Sequence, residues 1–339
     1  MRIAVTGSIA TEHLMTFPGS FANQFPADAP HTVALSFLVD TLDIRRGGTG
    51  ANIAFGLGRL GGRPLLIGAA GPDFGEYRCW LSAHGVDTRF VHVSPTRHTA
   101  RRLAITDDYH NQISAFHAGA MTEARTIALR PILAAAGGVD LVLIAPDDPE
   151  AMLRHTAECR TLGIPFAADP AQHLTTLGRA DIQSLVDGAT FLFTDESERD
   201  LLLSTTRWTA ADVLARVGTW ITTLGPRGVR IESAGLPIVS VGAVPDRGIV
   251  DPTGVGAAFR AGFLSGLARH LPPVRSAQLG CQLATIVLEA RGAQDYDLDP
   301  DMFLKRLDEA YGPDAAADAE PIMRAAREIN EAHHIRGYN

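Results

Sequence analysis

The segment from Asp251 to Phe263 has the residue types of an anion-binding site. It reads Asp-Pro-Thr-Gly-Val-Gly-Ala-Ala-Phe-Arg-Ala-Gly-Phe, so Gly254 and Gly256 lie in a turn that leads into an amphipathic helix. Glycine allows a sharp turn, and the first turn of a helix presents unpaired N–H groups and a partial positive charge. Such a helix start can hold a phosphate or the charge that develops in phosphoryl transfer. A helix that begins here without a ligand would have the same pattern.

Three other segments are typical of ligand-binding loops. Segment 46–54 is rich in glycine and includes Asn52, whose amide both donates and accepts hydrogen bonds. Segment 222–228 is a strand end followed by a glycine turn, and segment 194–198 carries acidic residues after an apolar run. In open α/β sheets, ligands bind at the carboxyl ends of the strands. For the acidic segment a solvated loop is the alternative.

Several familiar motifs do not fit their context. Gly56–Gly61 matches GxGxxG, but the residues before it have helical spacing instead of forming a strand, so Gly61 is predicted to end that helix. Asp73–Gly75 spells DFG without an HRD catalytic loop, and the sequence contains neither GxxxxGK[ST] nor HExxH.

The elements that must position these segments follow from the apolar pattern. Near-continuous apolar runs are typical of buried parallel strands, and segments with helical spacing lie between several of them. This alternation predicts an α/β protein with a doubly wound, mostly parallel sheet. The predicted strands are 3–6, 64–68, 139–145, 166–168, 190–194, 220–224, 229–232 and 238–241. The predicted helices are 52–60, 150–162, 210–217, 258–270, 275–290, 302–311 and 321–333, with Ala315–Ala317 as a link into the last.

Two stretches follow a different period. Segments 31–46 and 99–117 alternate apolar and polar residues, which is typical of strands with one solvated face. We expect them to form one small antiparallel sheet beside the main layer.

Composition excludes several function classes. The net charge is −8 and no cluster of five or more basic residues occurs, so we expect no nucleic-acid partner. Three cysteines without a CxxC pair favour a reducing compartment. No secretory leader pattern and no apolar run of about 20 residues occurs, so we expect a cytoplasmic protein without a membrane partner.

Taken together, the glycine-rich segments resemble the ribokinase/PfkB family of sugar and nucleoside kinases. Segment 47–54 resembles the N-terminal signature of the family and 251–263 its C-terminal signature, and the similarity extends from Val5 to about Leu288. Four shorter segments resemble, more narrowly, the actinobacterial type of adenosine kinase: 5–11, 36–40, 148–152 and 167–170.

The resemblance implies a ribokinase-like fold and a phosphotransfer activity. Residues 1–339 would form one α/β domain, with a β lid from approximately 10–46 and 97–118. The implied reaction transfers the γ-phosphoryl group of ATP to the 5′-hydroxyl of adenosine or a related nucleoside, a step of purine salvage. The implied cofactors are ATP, Mg²⁺ and optionally a monovalent cation such as K⁺. The exposed lid sheet would also favour a homodimer.

Site residues are implied by position. The sugar would contact Ser8, Glu12, Ser36, Gly48 and Asn52, and the base would contact Arg102, Phe116, Gln172 and His173. ATP would contact Asp195, Thr223, Gly225 and Gly228, and Glu198 would hold Mg²⁺ through water. The catalytic segment would be Asp251, Gly254, Val255 and Gly256, with the general base at position 257.

Position 257 breaks the family pattern. The family has an aspartate there as general base, whereas this sequence has Ala257. A methyl group cannot take the proton of the substrate hydroxyl, and general-base assistance is worth about 10²–10⁴-fold in rate. The backbone anion site and the helix survive the change, since alanine is a good helix former. We therefore expect ligand binding with very slow or no phosphoryl transfer.

Four pocket residues also depart from the resemblance: Glu12 in place of aspartate, Arg102 in place of an aromatic residue, His173 in place of glutamine and Asp195 in place of asparagine. Arg102 is either a solvated lid residue or a cation that stacks on a base or pairs with an anionic group.

Three explanations of Ala257 remain open. It is an engineered substitution that traps a substrate complex, a natural feature of a nucleoside-binding protein, or part of a pocket with other chemistry.

Overall fold

The computed structural model describes residues 1–24 and 35–335. Within these residues, the strands are β1 (Ile3–Thr6), β2 (Ala10–Phe17), β3 (Thr41–Gly47), β4 (Leu65–Ile67), β5 (Ala69–Ala70), β6 (His92–Val93), β7 (Ala100–Asp107), β8 (Gln112–His117), β9 (Leu141–Ile144), β10 (Phe166–Ala168), β11 (Phe191–Asp195), β12 (Thr219–Thr223), β13 (Val229–Glu232) and β14 (Val239–Val241).

The main sheet is mostly parallel, as predicted. Its strand order is β14-β13-β12-β11-β10-β9-β1-β4. The strands from β4 to β12 in this order run parallel, and β13 and β14 add an antiparallel edge. All eight apolar runs that predicted strands lie in this sheet, which confirms the α/β prediction.

Helices cover both faces of the main sheet. They are α1 (Thr49–Arg59), α2 (Gly75–Ala83), α3 (Leu129–Ala135), α4 (Pro149–Leu162), α5 (Arg179–Val186), α6 (Glu196–Thr206), α7 (Ala210–Leu214), α8 (Val255–Ala268), α9 (Pro273–Leu288), α10 (Pro300–Tyr311) and α11 (Pro313–Ile335). Among the described residues, none of these helices is long and apolar enough to span a membrane.

The two faces of the sheet belong to separate cores. Along β1, Val5 packs in the core that contains residues of α1 and α8, whereas its neighbour Ala4 packs in the core that contains residues of α4 and α5. Successive strand residues point to opposite faces, so a strand covered on both sides must be apolar throughout. This is why the strand signal in the sequence was a continuous apolar run.

The second sheet has the strand order β3-β2-β7-β8. The hairpin β7–β8 and the strand β3 lie in the two alternating stretches, and β2 and β7 are parallel to each other. The prediction was wrong about the extent of the first stretch, because the strand begins only at Thr41 and residues 35–40 are irregular. Residues 31–34 of that stretch lie outside the described residues. The central strand β2 was absent from the pattern analysis, because Thr11, Glu12 and His13 interrupt its alternation.

The last helix begins earlier than predicted. Ala315–Ala317 belong to α11, and Pro321 lies inside the helix instead of opening it. Proline favours the first helical turn, which led to the wrong boundary. Ala315 and Ala319 are buried, so packing of this first part of the helix extends it before the proline.

The GxGxxG-like segment serves helix packing. Gly56 and Gly58 lie inside α1, which confirms that the segment does not follow a strand. A side-chain carbon at Gly56 would lie 2.7 Å from the Cβ of Ala261 in α8, and one at Gly58 would collide with the carbonyl oxygen of His84. Gly56 therefore allows close packing of α1 against the side chains of α8, and Gly58 allows close approach of the backbone at His84.

Candidate active site

A cleft of about 1280 Å³ lies between the carboxyl ends of the parallel strands and the second sheet. Loops that follow β1, β9, β10, β11 and β12 form one wall, and β2, β7 and β8 contribute side chains to the other. Among the predicted site residues, the cleft is lined by Ser8, Glu12, Gly48, Asn52, Arg102, Phe116, Gln172, His173, Asp195, Glu198, Thr223, Gly225, Gly228, Gly254, Val255, Gly256 and Ala257.

Two predicted site residues are not part of this lining. Ser36 is exposed in the irregular segment before β3. Its neighbour Phe37 packs against Phe17 and Phe21, with ring centroids 5.1 and 5.2 Å away. Asp251 lies outside the cleft lining, and its carboxylate accepts hydrogen bonds from nearby backbone amides.

The loop before α8 has the geometry of an anion site. Gly254 has φ 85°, and α8 begins at the next residue, Val255. The Asp251 carboxylate accepts hydrogen bonds from the amides of Thr253 at 2.9 Å and Gly292 at 3.0 Å. Burial opposes ionisation of Asp251, but these hydrogen bonds and the charge of Arg45 keep its pKa below the ordinary value. Asp251 therefore fixes the loop at the start of α8, where the Val255 amide makes only a long hydrogen bond of 3.4 Å to the Pro252 carbonyl oxygen.

An ion pair connects this loop to the second sheet. Arg45 of β3 donates from Nη1 to Oδ2 of Asp251 at 2.9 Å, and it also pairs with Asp43 at 2.7 Å. The side chain of Arg45 is only 13% exposed, so the pair is largely screened from water. The pair thus connects strand β3 of the second sheet directly to the anion loop.

Ala257 lies on the first turn of α8 and is 8% exposed at the cleft. One turn further along α8, Arg260 forms a buried ion pair with Asp169: Nη2 donates to Oδ1 at 2.6 Å, and Nε lies 2.6 Å from Oδ2 without the geometry of a hydrogen bond. Arg260 also donates from Nη1 to the carbonyl oxygen of Gly256 at 3.0 Å. The sequence analysis gave neither Asp169 nor Arg260 a site role, although an arginine in the apolar run that forms α8 was a signal for a buried partner.

Asp195 and Glu198 form a capping box at the start of α6. Glu198 N donates to Asp195 Oδ1 and Asp195 N donates to Glu198 Oε2, both at 2.7 Å. Burial, together with the negative charge of Asp169, raises the pKa of Glu198. One oxygen of each carboxylate is used in the box, which leaves one hard oxygen on each for a hydrated cation. Within residues 1–24 and 35–335, no group of three or more acidic, histidine or cysteine side chains is arranged to hold a metal ion directly.

Charged side chains of the second sheet face the cleft. Glu12 on β2 lies opposite Arg45 on β3 and Arg102 on β7. Burial raises the pKa of Glu12, opposed by the charges of Arg102 and Arg45. Arg102 lies 3.9 Å from the Glu12 carboxylate and donates to Gln112 Oε1 at 3.0 Å, and Phe116 is its cross-strand neighbour. Arg102 therefore already has polar partners in the protein.

The opposite end of the cleft is formed by the loops after β9 and β10. Gln172 and His173 lie on a short 3-10 helix, Ala171–Thr175. Burial lowers the pKa of His173, although a hydrogen bond to the backbone of Asp147 opposes the shift. Asp147 also lines the cleft and is 2% exposed, and one of its carboxylate oxygens has no hydrogen-bond partner within the part of the chain that the structure describes. The sequence analysis missed Asp147, since one acidic residue next to another at a helix start has no distinguishing pattern.

Comparison with known proteins defines the class of this fold and site. The model of the pfkB family of carbohydrate kinases matches residues 19–300. This match covers most of the chain, so the chain belongs to the pfkB family of carbohydrate kinases, and the predicted membership is confirmed.

Its relatives include nucleoside kinases and a ribokinase. The nucleoside kinase of Methanothermobacter thermautotrophicus is 30% identical over 275 residues, which cover 78% of this chain and 85% of that protein. The ribokinase of Bacillus subtilis is 29% identical over 253 residues, or 73% of this chain and 83% of that protein.

A solved nucleoside kinase has the same fold. The structure of Burkholderia thailandensis nucleoside kinase in complex with inosine has a TM-score of 0.79 and 30% identity, and the match covers 91% of this chain and 98% of that one. The ribokinase-like fold with its separate second sheet, predicted from the resemblance, is therefore confirmed.

Proposed function

We propose that this chain binds a nucleoside and ATP in the cleft and is a nucleoside kinase by descent whose phosphoryl transfer is very slow or absent. The observation that carries this proposal is that one cleft joins the glycine-bounded start of α8 to the polar wall of Gln172 and His173. A cavity that has an anion site at one end and polar side chains at the other suits a phosphate donor and a nucleoside acceptor. Adenosine or a related nucleoside is the proposed acceptor, and its 5′-hydroxyl is the reacting group.

The sugar is proposed to lie beside Ser8, Glu12, Gly48 and Asn52. Ser8 Oγ accepts from Thr49 N at 3.0 Å, which leaves the hydroxyl proton for a ligand. Asn52 Oδ1 accepts from Gln294 at 2.8 Å, which leaves its amide N–H groups as donors. Arg102 and Phe116 would cover the base from the second sheet, which we propose acts as a lid on a single domain of residues 1–339.

The phosphate donor is proposed to lie along Thr223, Gly225 and Gly228, with its terminal phosphates at the amides of Gly254, Val255 and Gly256. The free oxygens of Asp195 and Glu198 would hold Mg²⁺ through water. Bound Mg²⁺ supplies positive charge between the nucleotide phosphates. A monovalent cation such as K⁺ is a further proposed requirement, tested by replacing it in the assay buffer.

Ala257 limits the chemistry. The amides at the start of α8 stabilise negative charge on the transferred group, and they do not depend on the side chain at position 257. The methyl group of Ala257 cannot take the proton of the 5′-hydroxyl. The second candidate function, a nucleoside-binding protein without transfer, is favoured by this residue alone.

The test is the substitution Ala257→Asp, assayed for nucleoside-dependent ATP consumption with adenosine, inosine, guanosine and cytidine. We expect a gain of about 10²–10⁴-fold over the unmodified protein. Ala257→Asn is the matched control, since it fills the same space without supplying a carboxylate base. If Ala257→Asp binds nucleoside yet transfers no phosphate, the kinase proposal fails and the binding-protein function takes its place.

We also propose a cytoplasmic homodimer that pairs through the outer face of the second sheet. That face presents Leu42, Ile44, Leu103 and Ile113, which are 39–58% exposed. A contiguous apolar patch of this kind is typical of an interaction surface. Sedimentation of the native protein and of Ile44→Asp tests this, since the substitution is expected to give monomers. The net charge of −8 supports the absence of a nucleic-acid partner.

A further inference from the structure

The carboxyl group of Asp147 is buried at the cleft, and only one of its two oxygens accepts a hydrogen bond from the described residues. Asp147 follows β9 and is 2% exposed. Its Oδ1 accepts from Asp148 N at 2.8 Å, whereas its Oδ2 is buried and has no hydrogen-bond partner among the described residues. Burying a polar atom without a partner is energetically costly, so Oδ2 calls for a specific explanation.

Among residues 1–24 and 35–335, no ion pair to this carboxyl group is formed. Arg125 pairs instead with the neighbouring acids: it donates to Asp148 Oδ2 at 2.5 Å and to Glu150 at 2.9 Å. Asp148 is itself occupied as the N-cap of α4, where it accepts from the amides of Glu150 and Ala151. From the facing 3-10 helix, His173 is hydrogen-bonded to the backbone of Asp147, and burial lowers its pKa. His173 is therefore neutral at and above neutral pH.

Burial raises the pKa of Asp147 to about 8, with the negative charge of Asp148 acting in the same direction and the Asp148 amide opposing it. A buried carboxyl group without a cation keeps its proton. At neutral pH, Asp147 is then an O–H donor in a wall that otherwise presents the amide of Gln172 and the ring of His173.

We propose that Asp147 recognises the nucleobase by donating the proton of its buried carboxyl group to a ring nitrogen or carbonyl oxygen of the base. This inference rests on the proposed function, because it assumes that the wall of Gln172 and His173 receives the base. It adds a specificity residue that acts as a neutral donor. Ionisation would turn this donor into an acceptor and would place a negative charge against the acceptor atom of the base.

The experiment measures the dissociation constant of adenosine by calorimetry between about pH 6.5 and about pH 9.5. For the unmodified protein, we expect affinity to fall by up to about tenfold for each pH unit above the pKa of Asp147. For Asp147→Asn, which keeps a donor at every pH, we expect affinity near the neutral-pH value of the unmodified protein and no such decline. Asp147→Leu, which has no donor, is expected to bind weakly throughout.

Glu12→Gln is the comparison variant, since burial also raises the pKa of Glu12, which lies on the second sheet at another wall of the cleft. This variant is expected to keep the decline at high pH. A flat profile for the unmodified protein, or the same decline in Asp147→Asn, would overturn the inference about Asp147. If adenosine, inosine, guanosine and cytidine all fail to bind at any pH, the proposed function falls as well.

Deaza analogues then identify the acceptor atom. 1-Deaza-, 3-deaza- and 7-deazaadenosine each lack one ring nitrogen that could accept the proton. We expect one of them to bind the unmodified protein more weakly than adenosine, with a flat pH profile. If all three retain the pH dependence of adenosine, donation to the base is excluded.

Discussion

The two ends of the cleft are built from different kinds of groups. At the proposed phosphate end, the groups at the cleft are the backbone amides at the start of α8, in a loop that Asp251 holds through Thr253 and Gly292. At the proposed base end, they are side chains, namely Arg102, Phe116, Asp147, Gln172 and His173. A backbone site survives substitution of its side chains as long as the loop keeps its shape. A side-chain site changes its ligand preference with each substitution, and two of the departures from the family pattern, Arg102 and His173, lie at this end.

The largest expected effect on stability comes from breaking the buried Asp169–Arg260 ion pair at the start of α8. Asp169→Leu leaves Arg260 buried without its partner, which we expect to lower the free energy of unfolding by about 3–5 kcal/mol. The measurement is denaturant unfolding.

The double variant Asp169→Leu/Arg260→Met is the control, because replacing both charges with apolar groups is often nearly neutral. If the single variant unfolds like the unmodified protein, the Asp169–Arg260 pair does not stabilise the start of α8, where Ala257 lies.

A substitution at Gly254 tests whether backbone shape alone makes the anion site. Gly254→Ala forces a left-handed conformation on a residue with a side chain, which costs about 1–2 kcal/mol. The new methyl group would also collide with Ala293. We expect ATP affinity, measured by calorimetry, to fall while adenosine affinity stays within about twofold, a difference of less than about 0.5 kcal/mol.

Gly163→Ala is the control, since Gly163 also has a positive φ but has open space around it and ends α4 away from the cleft. Equal loss of ATP affinity in both variants would mean that general destabilisation is responsible.

The smallest expected effect concerns the link between the two ends. Arg45→Gln removes the ion pair with Asp251, which we expect to cost about 1 kcal/mol, because the glutamine amide can still donate a hydrogen bond to the Asp251 carboxylate. Since the folded state lowers the pKa of Asp251, its contribution is present above the unfolded pKa and is lost as the pH falls through the folded pKa. The difference between Arg45→Gln and the unmodified protein should therefore shrink under acidic conditions.

Arg46→Gln is the control. Among the described residues, the one ion pair of Arg46 is with the exposed Glu76, at 3.4 Å. Unfolding curves at neutral and acidic pH compare the two. A difference that grows with acid would contradict the assigned link.

Local sequence patterns were sufficient for the main sheet and for the helix starts that carry the glycine motifs. Each buried strand is covered on both faces, so its signal is a continuous apolar run that needs no tertiary information. The second sheet was harder, because β2 has polar residues toward the cleft and only its partners β3 and β7 make it a strand. The boundary of α11 was missed because burial of Ala315 and Ala319 outweighs the local signal of Pro321.

For the site, the sequence by itself determined which residues could do chemistry, because the glycine spacing before α8 and the alanine at position 257 are local facts. Only the tertiary structure decided which of them meet in one cleft and which, like Ser36, lie outside its lining. It also revealed the Asp169–Arg260 pair, the Arg45–Asp251 link and the buried Oδ2 of Asp147, which has no hydrogen-bond partner among the described residues. The burial of these side chains and their ion pairs depend on contacts between segments that are distant in the chain, and no local sequence pattern encodes such contacts.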